Sequence, residues 1–472
     1  MDSRTLLKSL PVALLALTAA ALVVAGCNSG GTGTAPTTPA AETGPSFVVG
    51  TDAPMASVVS FAVQIESITA TDANNNTVSL LSGTPTVDFA RFNGLQTLLD
   101  MNDVNAGSYS NISITLGGAT IGYLNMPASG APTIATEPAT YPNSATTFTY
   151  TTTLANPIVV TQNGSPVGLH VDFDLRKSIQ VDANGNITGQ VTPTFNVNGV
   201  GNGDSGAYID CFDAAVVSAN VTAQSFVVQG PHGRQFTINV NGQTEWENNE
   251  SISDLTTSSI VTLSGTLDRA DATIDADDVA ILSQDGFYAG GQVTYVQPAT
   301  GPAASFDLYV RGLLPTTTGL TLGQIAQVDL SGNEKFFIYW FHNPLTEFLF
   351  NSSQLLPGQH VSVGGPASGA TNADAVTVKR VVLRDWGFDG TVVANSVNTA
   401  NGTFQIQING FAGILVPQTV TVYTAGKTSF RNGMAGVSDL TGGENVRVVG
   451  LLLNVPLSGN TVLLARYVDE LD

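Results

Sequence analysis

From Phe47 onward, apolar residues recur with period two. Val58-Val59-Ser60-Phe61-Ala62-Val63-Gln64-Ile65 and Ile112-Ser113-Ile114-Thr115-Leu116 alternate as half-buried strands do. Polar turn clusters punctuate them: Asp72-Ala73-Asn74-Asn75-Asn76, Asn105-Ala106-Gly107, Asn163-Gly164 and Asn184-Gly185. One stretch, Phe92 to Met101, predicts a helical turn, and nothing else reads as a long helix. The pattern predicts an all-β chain whose residues 47–200 form a β-sandwich. A glycine-rich run, Asn198-Gly199-Val200-Gly201-Asn202-Gly203-Asp204-Ser205-Gly206, then predicts a hinge.

Beyond the hinge the pattern repeats itself in diverged form. Gly286-Phe287 after Ile281-Leu282 corresponds to Gly387-Phe388 after Val382-Leu383. Each copy has a Thr/Phe element, a loop containing Leu, and a strand ending in Gly. The pairs are Gln243-Thr244-Glu245-Trp246 with Val261 to Gly265, Glu347 to Asn351 with Val361 to Gly364, and Thr428 to Asn432 with Val446 to Gly450. Unequal copy lengths favour separate globular modules, at 207–285, 286–385 and 386–472, over a tight solenoid.

The N-terminus changes the picture from fold to address. Arg4 and Lys8 precede an uncharged run from Pro11 to Gly26, too short for a comfortable membrane span of roughly 20 residues. Val24-Ala25-Gly26-Cys27 resembles a bacterial lipobox, which implies cleavage before Cys27 and lipid on its sulfur. Residues 1–26 are then a lipoprotein signal peptide, and 27–46 a lipidated cysteine with a flexible Gly/Thr/Pro linker. The alternative is an ordinary secretory signal with an incidental Cys27. Asn28 in place of Asp after the cysteine favours the outer over the inner membrane, so the expected location is the bacterial cell envelope.

Charge narrows the partners. Net charge is −21 with only 11% charged residues, which argues against nucleic acid or an anionic lipid surface. With Cys27 lipidated, Cys211 is the only other cysteine and no intrachain disulfide forms; it is expected as a buried small hydrophobe between Asp210 and Asp213.

Several short motifs then fall in a familiar order: Gly50-Thr51-Asp52-Ala53-Pro54, Val87 to Gly94, Val104-Asn105-Ala106-Gly107-Ser108-Tyr109, and Val171 to Ile179. Over about residues 47–200 they resemble the bacterial domain of unknown function 4382, with Val104-Asn105-Ala106 departing from the more usual Val-Pro-Ala. The resemblance implies a lipoprotein-borne, transthyretin/Ig-like sandwich without an established activity. The repeats look like tandem copies of the domain of unknown function 5666, which implies small β-barrel-like modules.

Candidate chemistry is sparse. Gly203-Asp204-Ser205-Gly206 has the look of a serine-protease nucleophile loop, but none of the four histidines (His170, His232, His342, His360) sits in a matching setting. His170, Asp172 and Asp174 share one strand face spread over about 7 Å, wide for one tetrahedral metal, and are expected as a solvated sheet face. Asp268, Asp271, Asp275, Asp277 and Asp278 form the densest acidic cluster, a calcium candidate lacking the usual loop grammar. Asp72-Ala73-Asn74-Asn75-Asn76 starts like a calcium loop but has Thr77 where glycine is needed. Phe336-Phe337-Ile338-Tyr339-Trp340-Phe341-His342 is the most aromatic run, either strand core or a ligand platform carried by Tyr339, Trp340 and Phe341. Together these features predict no enzyme. They predict a non-catalytic envelope lipoprotein whose β modules bind a polysaccharide, peptide or protein partner; the alternative is a spacer that displays the first module.

Overall fold

In the computed structural model, residues 43–471 are described except 54–57, 93–96, 126, 128–129, 163, 166, 184–186, 201–207, 231–234, 269–272, 316–318, 340–348, 371–374, 409–418, 432 and 456–459, and except the side chains of 51–53, 211, 268, 427 and 455. The chain is almost entirely β.

The alternating run opens the strand Val58–Asp72, which turns Phe61, Val63 and Ile65 inward. A register shift between Ile65 and Ser67 adds one residue, so Ile68 and Ala70 face the core beyond it. This strand belongs to a six-stranded sheet, paired antiparallel to Gly107–Asn125. A four-stranded sheet runs in the order Phe195–Val200, Val167–Asp174, Thr43–Ala53, Thr97–Asn105. Both sheets feed one core: Val48, Val171 and Phe173 from the second meet Phe61, Ile112 and Ile114 from the first. Phe173 sits at its centre, its ring 5.1 Å from Phe61, 5.1 Å from Phe89 and 4.7 Å from Phe195.

The helical turn expected over Phe92 to Met101 is not there. A single 3₁₀ turn occupies Phe89–Arg91, and Thr97–Asn105 is a strand. The reason is burial on both faces. Leu99 joins the core between the sheets, while Leu98 and Met101 pack the other way, with Phe47 and Val49, against Ile209, Phe212 and Leu263 of the next unit. A strand covered on both sides reads as a continuous apolar run, which periodicity does not separate from a helix.

The remaining chain holds three units of one topology. In the first, Tyr208–Asn220, Ser225–Gln229 and Gln235–Asn239 pair in succession, Ile260–Asp268 returns beside the first, and Thr273–Ser283 closes the ring by pairing parallel to the third. The third unit repeats this with Trp386–Val392, Thr403–Ile408, Thr419–Phe430, Asn445–Val455 and Asn460–Glu470, a closed five-stranded barrel. The middle unit has the same order, but its last strand is divided into Ala375–Thr377 and Arg380–Arg384.

The glycines expected to end the fourth strand lie within it instead, as the strands Ile260–Asp268 and Asn445–Val455 run on past Gly265 and Gly450, and their place has a local cause. At Gly265 and Gly450 a Cβ would lie 2.2 Å from the Asp275 carbonyl oxygen and 2.0 Å from that of Leu464. Each glycine sits where the register with the last strand shifts, so the barrel curls tightly there.

Residues 42–472 make one compact unit. No helix among the described residues is long and apolar enough to cross a membrane.

Candidate binding groove between the first two repeats

Each repeat delivers a short extra segment that pairs parallel to its last strand. In the first it is Glu245–Trp246, opposite Asp278 and Val279; in the second it is Lys335–Ile338, opposite Arg380 to Leu383. In the third, Ser429 and Phe430 at the end of a longer strand do the same opposite Tyr467 and Val468. The middle counterpart of Glu245–Trp246 is therefore Lys335–Ile338, and not the expected Glu347 to Asn351.

The turn that leads into Trp246 is locked by its own side chains. Asn241 Oδ1 accepts from the Gln243 amide at 2.7 Å, and the Thr244 hydroxyl donates to the Ala276 carbonyl at 2.8 Å. Directly after Trp246, Asn248 and Asn249 both adopt left-handed backbone, at φ 59° and 57°. Asparagine tolerates this region better than other non-glycine residues, yet two in succession are unusual.

These elements face each other across a hollow of about 830 Å³, lined by Trp246, Glu245, Glu247, Asn248, Phe336 and Phe337 among others. The Trp246 ring leans on Phe226 at 6.2 Å, Phe336 packs edge-on against Phe350 at 5.5 Å, and all three groove aromatics stay half-buried. Asn248 keeps its amide nitrogen buried without a partner at the groove's edge. A second hollow of about 370 Å³ shares Asn249 and Phe337 with the first, and continues it past Glu250, Lys335, Lys379 and Arg380. Arg380 lies 4.1 Å over the Phe337 ring while pairing with Glu250, and Lys379 pairs with Asp285 at 3.1 Å. The result is one groove with an aromatic end and a charged end.

Behind the groove the polar residues turn inward. Tyr339, expected on a ligand platform, is only 2% exposed, donates its hydroxyl to Asp278 and lies 3.2 Å from Ser264 Oγ. It shares its cluster with the half-buried Phe337, whereas Phe336 packs against the core of the second and third repeats; both phenylalanines also line the groove. Trp340 and Phe341 lie outside the described residues. Burial pushes Asp278 up to about 7, against the pull of Arg466.

The acidic cluster is accordingly split. Asp275 and Asp277 are exposed, Asp275 accepting from Asn239 at 3.0 Å, while Asp278 points the other way. Asp271 and the side chain of Asp268 lie outside the described residues. Among the described residues no three His, Cys, Asp or Glu side chains are grouped as a metal site.

Elsewhere, Asp72 spends its carboxylate on its own turn, accepting from the Asn74 and Asn76 amides at 2.8 and 2.7 Å. His170 and Asp172 are half-buried and Asp174 is buried, in place of the solvated face expected. Asp174 caps a helical turn and pairs with Lys177 at 2.9 Å, and Asp172 feels the charge of Arg447 from the third repeat. Cys27, the Gly203 to Gly206 loop and the Cys211 side chain lie outside the described residues.

What sequence reasoning missed is a set of buried arginines. Arg311, Arg380, Arg384, Arg447 and Arg466 are all at most 9% exposed. Arg384 donates to Asp213 at 3.1 Å and to Tyr288 at 3.1 Å, Arg447 to Asp389 at 2.8 Å, and Arg466 to Asp385 at 2.8 Å. They sit in apolar strands, Arg380 and Arg384 at the two ends of Arg380-Val381-Val382-Leu383-Arg384 and Arg466 after Leu463-Leu464-Ala465. In a chain with 16 Lys and Arg in total, that placement was the available signal.

Two parts of the chain match known families. Residues 48–189 match a domain of unknown function, DUF4382, and residues 215–280 match another, DUF5666. No curated protein matches the chain.

Proposed function

We propose that the chain is a non-catalytic, lipid-anchored envelope protein that holds a hydroxyl-rich polysaccharide in the groove between its first two repeats. The observation that carries this is the groove itself. Trp246, Phe336 and Phe337 offer half-exposed ring faces for sugar rings, and Glu245, Glu247 and Asn248 stand beside them to meet hydroxyls. The buried amide nitrogen of Asn248 has no hydrogen-bond partner among the described residues, and a turn of its side chain would offer that donor to a ligand hydroxyl. Two connected hollows give length, which suits a polymer better than a single small molecule.

Two further points support the binding role. The second and third repeats share one apolar core, and the first packs against the N-terminal sheets, so the repeats form a body and not a string of spacers. Of the described histidines, His360 is buried with Nδ1 on the Asp385 carbonyl oxygen, and burial lowers the proton affinity of His170. Both read as structural. The anchor rests on Cys27 and the sequence before it.

The test is a panel of immobilised neutral and acidic polysaccharides, probed with the mature chain and with Trp246→Ala. Retention on neutral polysaccharides, with affinity reduced about 10- to 100-fold in the variant, is expected. Equal retention of both proteins, or retention of neither, would overturn the assignment.

A further inference from the structure

A second, smaller cavity, of about 60 Å³, opens where the N-terminal sheets and all three repeats meet. Arg91 comes from the N-terminal region, Asp213 from the first repeat, Tyr288, Arg311 and Arg384 from the second, and Trp386 from the third. We propose that this cavity binds a small tetrahedral oxyanion, such as inorganic phosphate or sulfate, among the guanidinium groups of Arg91, Arg311 and Arg384.

Charge points this way first. Three guanidiniums line the cavity against one carboxylate, Asp213, which is already engaged by Arg384 and by the Tyr288 hydroxyl at 2.6 Å. Burial raises the Asp88 carboxyl, with Arg311 and Arg91 opposing, so even with Asp88 counted as ionised the three guanidiniums outnumber these two carboxylates. The same cationic field reaches His360 on the cavity wall: burial lowers its proton affinity most, and Arg384 and Arg311 lower it further. The imidazole is therefore neutral and adds no charge of its own to the cavity.

Geometry agrees. Arg311 is fixed before any ligand arrives, donating to the Ala90 carbonyl at 3.0 Å with its guanidinium 4.9 Å from the Trp386 ring and 5.2 Å from the Tyr309 ring. Arg384 is held by Asp213, Tyr288, Ser362 and Thr262, so it supplies field more than new hydrogen bonds. Arg91 is exposed at the mouth, where it is placed to close on a ligand. A water needs about 10–15 Å³ of such space, so the cavity holds about four oxygens, the number a tetrahedral oxyanion brings. Guanidinium forks match such oxygens in both charge and direction. Because the lining comes from every part of the fold, a bound oxyanion would brace the N-terminal region against the repeats and raise the stability of the whole chain.

The experiment is thermal unfolding and calorimetric titration of the mature chain with sodium phosphate, sulfate or acetate, at ionic strength held constant with chloride. Saturable binding of phosphate and sulfate, with a rise in Tm that chloride does not give, is expected. Arg91→Gln should weaken phosphate binding about tenfold or more while unfolding as wild type does in chloride. Arg176→Gln, an exposed arginine elsewhere, should bind as wild type does. Three results would each overturn the proposal: no difference between phosphate and chloride, undiminished binding in Arg91→Gln, or acetate binding as tightly as phosphate.

Discussion

The two junctions between successive repeats differ in how much of each is apolar and how much is hydrogen-bonded or ionic. Where the second repeat meets the third, Leu451, Leu453, Val462 and Leu464 enter the same apolar core as Val361, Val363 and Leu383, and Gln359 donates across it to the Leu452 carbonyl at 3.0 Å. Where the first meets the second, a smaller apolar cluster joins Ile260, Ala280 and Leu282 to Val382, and around it the contact runs through Arg384 with Asp213, Tyr288 with Asp213, Tyr339 with Asp278, and Arg380 with Glu250. Apolar burial is non-directional and closes every gap it can. Hydrogen-bonded pairs fix a few atoms and leave the edges apart, and the open groove lies at that second kind of junction. Identical topology has thus been used once as glue and once as a frame.

The contrast breaks most sharply at its charged centre. Arg384→Ala would remove a fully buried guanidinium and leave the half-buried Asp213 carboxylate without its ion-pair partner, and is expected to cost about 3–5 kcal/mol in urea unfolding. A loss below about 1 kcal/mol would show that the pair does not hold the first junction. At the apolar junction, Leu464→Ala is expected to cost about 2–5 kcal/mol through lost burial and a residual cavity. Polysaccharide binding by the folded fraction should be unchanged there, because the groove lies at the other junction. Weakened binding in folded Leu464→Ala would mean that the two junctions are not independent.

The smallest effect is a difference of sign with pH. Asp278 at the first junction is raised to about 7, while Arg466 and Asp385 act on it in opposite senses. Its contribution is complete below the ordinary value of 3.8 and is lost as pH rises through about 7. His360, packed against Trp386 of the third repeat at 4.6 Å, is lowered to about 3 by burial and then by Arg384 and Arg311, with Asp385 opposing. Its contribution is complete above 6.5 and is lost as pH falls toward about 3. Between pH 4 and 6.5 the two nearly cancel. Asp278→Asn should therefore become more stable as pH rises in that window, and His360→Gln less stable, each by about 1.4 kcal/mol per pH unit at most. Parallel, flat profiles for both variants would remove the distinction.

The strands were legible wherever one face meets water. Val58 to Ile65 alternates because Gln64 and its like look outward, whereas Gly265 and Gly450, expected at strand ends, mark register shifts within longer strands where neighbouring backbone leaves no room for a Cβ. Residues buried on both sides, such as Leu98 to Met101, lost that signal and were expected as a helical turn. The groove was legible only in part. The aromatic run contains Phe336 and Phe337, which line the hollow, but Tyr339 turns in to Asp278. Trp246 reaches them through parallel pairings of two separate short segments, a relation set by topology and not by spacing. The Asp275, Asp277 and Asp278 cluster misled for the opposite reason: neighbours in sequence point to opposite faces of a strand.

Amide hydrogen exchange tests the central claim most directly, on the mature chain with and without soluble oligosaccharides of a neutral polysaccharide. The account predicts slowed exchange in residues 243–250 and 335–338 together, with the junction strands of the third repeat unchanged. Protection that falls elsewhere, or in only one of those two segments, would contradict a binding groove between the first two repeats.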